Sequence, residues 1–257
     1  MTPVPDCGVF GLGYLGRPLA QKCYEHGSRV RALKRSLTSD DINLPVALDI
    51  ADLNQADVFS HTFWQHWRQH PTWFFLLPPS SCPDYAGLLG KVVRLAETLT
   101  VRHLIFSSST SVYGDSVRLC DETSPTDPQT ESAHKIAAAE QLLLAADVPH
   151  IDIIRLGGLY SARRHPVSRL AGKTKLKGGK QPVNLIHEDE AVRTLFQTAL
   201  NPNGKRIKNA VAAEHPPRAV FYRSEAAKLG IPLPEFDESD SGGGKIVNTV
   251  SEYGLSL

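Results

Sequence analysis

The sequence has no long apolar run. None approaches the roughly 18 residues that a membrane-crossing helix needs, and the longest, such as 73–79, are strand-sized. It has no surplus of either charge: 28 basic against 27 acidic residues leave +1, which argues against a chain that grips nucleic acid through clustered positive charge. Cysteine is scarce. Cys7, Cys23, Cys82 and Cys120 lie far apart, include no Cys-x-x-Cys pair and match neither a disulfide framework nor the usual zinc spacing, so free thiols and no bound metal are expected. The N-terminal residues lack a basic segment followed by an apolar stretch, so no export signal is expected. A reducing cytoplasm, with neither a membrane nor a nucleic acid as partner, is the expected setting. What is present is ordinary for a folded globule. Hydrophobic residues make up 41% and charged residues 21% of 257 positions, enough for one large or two unequal domains whose core needs no staple.

Strand and helix signals alternate through the first part of the chain. Strands are predicted over 7–10, 29–33, 45–48, 73–77, 103–107 and 151–156. Helices are predicted over 15–26, 85–98 and 132–144. Such alternation implies a mainly parallel sheet covered on both faces, a doubly wound Rossmann-type α/β fold. After Leu156 the pattern changes. Residues 157–179 are rich in Gly, Arg and Lys and read as loop; further strands are expected over 183–187 and 207–211, and helices over 189–200 and from Ser224. Residues 1–158 are therefore expected to form the nucleotide-binding core. Residues 159–257 are expected to form a smaller α/β substrate lobe, with about 183–200 returning to the core.

The sharpest motif is Gly11-Leu12-Gly13-Tyr14-Leu15-Gly16, between the first strand and the first helix. Gly11 permits the tight turn, Gly13 lets a diphosphate approach bare backbone, and Gly16 allows close helix–strand packing. The helix N-terminus adds N–H groups and a positive dipole end. About 20 residues beyond such a loop an acid usually holds the ribose 2′-hydroxyl of NAD. Here Lys34 and Arg35 stand instead. They favour NADP over NAD, because they attract a 2′-phosphate and no acid repels it; their plainer alternative is solvated surface charge. Asp49 is expected either at the adenine edge or as a helix cap.

Together with this loop, Leu48-Asp49-Ile50, the serine-rich run 106–115 ending Val112-Tyr113-Gly114-Asp115, and Arg155-Leu156-Gly157-Gly158-Leu159-Tyr160 resemble the extended short-chain dehydrogenases/reductases, the NAD(P)-dependent epimerase/dehydratase family that acts largely on nucleotide sugars. The resemblance continues through 184–189. An atypical bacterial subgroup is similar at Gly16-Arg17-Pro18-Leu19-Ala20, Ala171-Gly172-Lys173-Thr174, His215-Pro216 and Phe221-Tyr222. The resemblance implies that Ser109 is the catalytic serine. It sets Ser107, Ser108, Leu77, Pro78 and Leu159 beside the cofactor, and Arg164, His165 and Asn184 in the substrate pocket. It also demands Tyr-x-x-x-Lys on the following helix, and the sequence lacks it. One register puts Ser132 and Ile136 at the two positions, the other His134 and Ala138, and no tyrosine occurs between Tyr113 and Tyr160. A serine is a poor proton donor at neutral pH and isoleucine carries no charge. Tyr113 and His134 are candidate substitutes.

Other motifs are weaker. Ala171-Gly172-Lys173-Thr174 lacks the upstream glycine and strand of a phosphate loop. His66 and His70 have metal-like spacing but no third ligand. Lys173, Lys175, Lys177 and Lys180 form a solvated loop or a lid over a phosphorylated substrate. Two functions follow. One is an NAD(P)-dependent oxidoreductase or epimerase acting on a carbonyl or hydroxyl carbon of a small, nucleotide-linked molecule. The other is a non-catalytic NADP(H)-binding sensor or scaffold that lost the relay. The subunit count is left open.

Overall fold

A computed structural model describes residues 4–240, 242–250 and 255–256. The strands are β1 (Cys7–Phe10), β2 (Val30–Lys34), β3 (Ala47–Ile50), β4 (Thr72–Phe75), β5 (His103–Ser109), β6 (Leu119–Cys120), β7 (His150–Leu156), β8 (Gly158–Tyr160), β9 (Leu185–His187), β10 (Lys205–Ala210), β11 (Ile246–Val247) and β12 (Leu255–Ser256). The helices are α1 (Gly16–Glu25), α2 (Trp64–Trp67), α3 (Tyr85–Thr98), α4 (Glu131–Ala145), α5 (Glu188–Leu200) and α6 (Arg218–Lys228).

Seven strands run parallel in the order β10-β7-β5-β4-β1-β2-β3, and β12 adds antiparallel to β10. This is the doubly wound Rossmann-like α/β sheet that the alternation predicts. The chain winds outward from β1 to β3, then returns and winds the other way from β4. The switch between β1 and β4 opens a crevice beyond the strands' C-terminal ends, where ligands bind in such sheets. The central strands are apolar because both faces are covered. One face carries Phe10, Trp67, Trp73, Phe75 and Phe106 against α3 and α4; the other carries Val9, Ala32, Phe74 and Ile105 against α1 and α5. A third, small cluster gathers Val167, Val183, Tyr222, Ala226 and Phe236 beside the paired strands β8 and β9.

Most predicted boundaries moved by a residue or two, the stretch 157–179 read as loop holds the short strand β8, which pairs with β9, and two shifts have a definite physical reason. α6 begins at Arg218, six residues before the predicted start, because Pro217 sets its N-terminus and Tyr222 packs into the small cluster. β3 ends at Ile50, not Leu48, which changes the role of its carboxylates. The four cysteines are buried free thiols, and among the described residues no cluster of metal-ligating side chains occurs and no helix is long and apolar enough to cross a membrane.

Candidate functional site

The crevice is a cleft of about 820 Å³ at the strand ends. Its floor is the glycine loop. Gly11 has φ +96°, a conformation that side chains resist, and a Cβ there would sit 2.9 Å from Leu77. A Cβ on Gly16 would lie 2.0 Å from the Gly11 carbonyl oxygen, so this helix can start against the strand only with glycine. Over Gly13 a Cβ would meet nothing within 4 Å: the space above the backbone is open. Helices α3, α4 and α5 have side-chain caps from Asp84, Thr130 and His187. α1 starts behind Leu15, with no side-chain cap and no acid in its first turn. The turn, the open backbone and the uncapped dipole end together fit a diphosphate.

At one end of the cleft stand Lys34, Arg35 and Ser36. Lys34 is not loose: its ammonium donates to the carboxylate of buried Asp41 and to Thr38 Oγ1 at 2.9 Å. Asp41 also accepts from Thr38 N at 2.7 Å and from Arg17 at 2.9 Å. Burial opposes ionisation of Asp41, but the bonds from Lys34 and Thr38 outweigh it and hold its carboxyl well below the usual range. Its side chain is wholly shielded from solvent, so it presents no acid to a ribose.

Asp49 is not at the cleft. Because β3 continues through it, its side chain turns inward, accepting from Arg31 at 3.0 Å and from Trp67 Nε1 at 2.8 Å. The carboxylate that borders the cleft there is Asp52, beside Leu53 and Asn54. Sequence reasoning passed over Asp52 because it ended the strand two residues early.

At the other end lie Ser107, Ser108 and Ser109, with Leu76, Leu77, Pro78 and Leu159 along the walls. Ser107 Oγ donates to the Phe75 carbonyl at 3.2 Å. Ser108 Oγ is committed below, donating to buried Glu140 at 2.5 Å. Ser109 accepts from Ser111 N at 3.1 Å, leaving its hydroxyl hydrogen available at the cleft. Ile136 is the α4 residue on the cleft wall, whereas His134 and Ala138 are exposed elsewhere on the helix. Of the two registers only Ile136 reaches the cleft, since Ser132 is also exposed and outside its lining, and an apolar side chain occupies the wall.

Three expected site residues are employed otherwise. Tyr113 is fully buried; its hydroxyl donates to Asp121 O at 2.8 Å, contacts Asn209 Oδ1 at 2.9 Å and accepts from Arg155 at 2.8 Å. Burial raises its pKa, only partly countered by Arg155, so it is no proton relay near neutrality. Asn184 straps the chain end, donating to Lys245 O and accepting from Val247 N. His165 lies in the small cluster, accepting from Val167 N and stacked on Phe221. Arg164 does border the cleft. Lys173, Lys175, Lys177 and Lys180 are exposed, and none of them lines it.

The model of the NAD-dependent epimerase/dehydratase family matches residues 9–196. Protein YeeZ of Escherichia coli strain K12 is 31% identical over 255 residues, covering 93% of this chain and 90% of its own. Among solved structures, a UDP-N-acetylglucosamine 4-epimerase from Bacillus cereus superposes with a TM-score of 0.78 at 12% identity, covering 96% of this chain and 90% of that one. MoeE5 in complex with UDP-glucose and NAD gives 0.76 at 21% identity, covering 95% and 89%.

Proposed function

The chain belongs to the NAD-dependent epimerase/dehydratase family, and from that premise we propose that it binds NADP(H) in the crevice and exchanges hydride with a carbonyl or hydroxyl carbon of a small, nucleotide-linked molecule. The observation that carries this is the open backbone over Gly13 beside an uncapped α1, continuous with a cleft that ends at Ser109. Bound there, the nicotinamide supplies or accepts the hydride. Ser109 donates a hydrogen bond to the substrate oxygen and fixes it. No ionisable side chain stands at Ile136, so water takes the hydroxyl proton when an alcohol is oxidised and supplies it when a carbonyl is reduced. Lys34 and Arg35 support NADP: both stand at this end of the cleft, and the acid beside Lys34, Asp41, is shielded from solvent and offers nothing to repel a 2′-phosphate. UDP-glucose in MoeE5 supports a nucleotide-linked substrate. Residues 159–257 are read as supplying the substrate lobe, built around the small cluster, with 183–200 returning to the core through α5; β10 and β12 return as well, extending the central sheet beyond β7, so the lobe is smaller than the expected 159–257.

Ile136 itself favours a second function, a non-catalytic NADP(H) sensor, since an apolar wall has no means to activate a proton donor. The two separate by turnover. The protein is incubated with oxidised or reduced cofactor and a panel of nucleotide sugars and small carbonyl compounds, and nicotinamide absorbance is followed. Turnover abolished by Ser109→Ala, with cofactor affinity kept, supports the enzyme. Tight binding without turnover across the panel supports the sensor.

A further inference from the structure

The glycine loop is covered from outside by a turn that belongs to a distant stretch of chain. Ser161 and Arg164 close this turn through reciprocal backbone hydrogen bonds, Arg164 N to Ser161 O at 3.1 Å and Ser161 N to Arg164 O at 3.3 Å. Tyr14, in the middle of the glycine loop, donates its hydroxyl to Ser161 Oγ at 2.9 Å. Arg163 pairs with Glu188 at the start of α5 and has its guanidinium 5.4 Å from the Tyr14 ring centroid. The turn is thereby anchored at both ends, to the loop and to the core. Arg164 remains. Its guanidinium stands 4.9 Å from the Tyr14 ring centroid, borders the cleft and makes no ion pair with a described residue.

We infer that Arg164 is a ligand of the cofactor's diphosphate, held over the glycine loop by the Tyr14 ring and closing the turn 161–164 onto the bound dinucleotide. This deepens the NADP(H) assignment above and rests on it. Three facts converge. The diphosphate seat at Gly13 and α1 has donors from backbone and dipole but no cationic side chain of its own: the first turn of α1 offers none beyond Arg17, which is engaged by Asp41 and the Asp40 carbonyl. Arg164 is an uncommitted planar cation at that same cleft, and its fork matches phosphate oxygens. The aromatic ring restricts it beforehand, which lowers the ordering cost of binding. A diphosphate of a nucleotide-linked substrate has the same chemistry. The perch on Tyr14, a residue of the glycine loop itself, favours the cofactor.

The test is calorimetric titration of the full chain with NADPH, with adenosine 2′-monophosphate, which carries the 2′-phosphate but no phosphate at the diphosphate position, and with a UDP-sugar alone. Arg164→Ala is expected to weaken NADPH at least about tenfold, a loss of ~1.4 kcal/mol, and adenosine 2′-monophosphate less than about twofold. Arg164→Lys should fall between, retaining charge without the fork. Tyr14→Ala should reproduce part of the loss, with Tyr14→Phe, which keeps the ring, recovering most of it. Unchanged NADPH affinity in Arg164→Ala overturns the inference while leaving the dinucleotide assignment standing. So does an equal loss for adenosine 2′-monophosphate, or a loss seen only with the UDP-sugar. Absence of NADPH and NADH binding to the wild-type chain overturns the dinucleotide assignment itself. Thermal unfolding of each variant is followed in parallel; an unchanged midpoint ties the loss to the ligand rather than to the fold.

Discussion

Arg155 on β7 and Glu140 on α4 form a two-pronged ion pair beneath the cleft, Nε to Oε1 at 3.0 Å and Nη2 to Oε2 at 2.7 Å, with both side chains almost wholly buried. Ser108 and Tyr113 complete the network, one donating to Glu140 and the other accepting from Arg155. Removing one partner strands the other charge without water. Glu140→Ala is therefore expected to destabilise the chain by about 3–5 kcal/mol, read as a lower urea midpoint. A loss below about 1 kcal/mol, typical of exposed pairs, would contradict this account.

Tyr113 belongs to that network, which leaves it no part in the proposed chemistry. Tyr113→Phe removes a buried hydroxyl with three partners and should cost about 1–3 kcal/mol, while Ser109-dependent turnover stays within about twofold of wild type. Loss of turnover without loss of stability would return Tyr113 to the catalytic set.

The glycines of the loop separate fold from ligand. Gly16→Ala drives a Cβ into the Gly11 carbonyl and should destabilise by about 1–3 kcal/mol or more. Gly13→Ala meets no protein atom, so its thermal midpoint should hardly move while dinucleotide affinity falls about tenfold or more, ~1.4 kcal/mol. Equal affinity in wild type and Gly13→Ala would show that no diphosphate rests there.

The proposed NADP(H) site makes the charges at the end of β2 the determinant of cofactor choice. Wild type should bind NADPH more tightly than NADH, and Lys34→Glu with Arg35→Glu should lower that ratio at least about tenfold, the expected loss of charge-assisted bonds to a 2′-phosphate. A wild-type preference for NADH refutes the charge argument.

Asp41 gives the pH signature of the same corner. Its folded pKa lies below the unfolded value of 3.8, so its stabilisation is complete above that value and disappears as pH falls through the folded one. The urea-midpoint gap between wild type and Asp41→Asn should be constant from about pH 7 to 5 and shrink below about pH 4. A gap unchanged at pH 3 would mean that Asp41 gains nothing from its ionised form.

The sequence by itself determined the winding of the sheet and the shape of the glycine loop. Strand and helix periods, and glycines placed where a turn, a ligand and a helix each need room, are local sterics written residue by residue. Which side chains enter the cleft was decided only in three dimensions. Asp49 gave way to Asp52 because a strand ran two residues further and Trp67 claimed the earlier carboxylate. Tyr113, beside the serine run in sequence, was drawn into the core by Asn209, 96 residues away. Tyr14 meets Ser161 across 147 residues. Such partners depend on how separate elements pack, and a polar group leaves water for whichever partner that packing brings within reach.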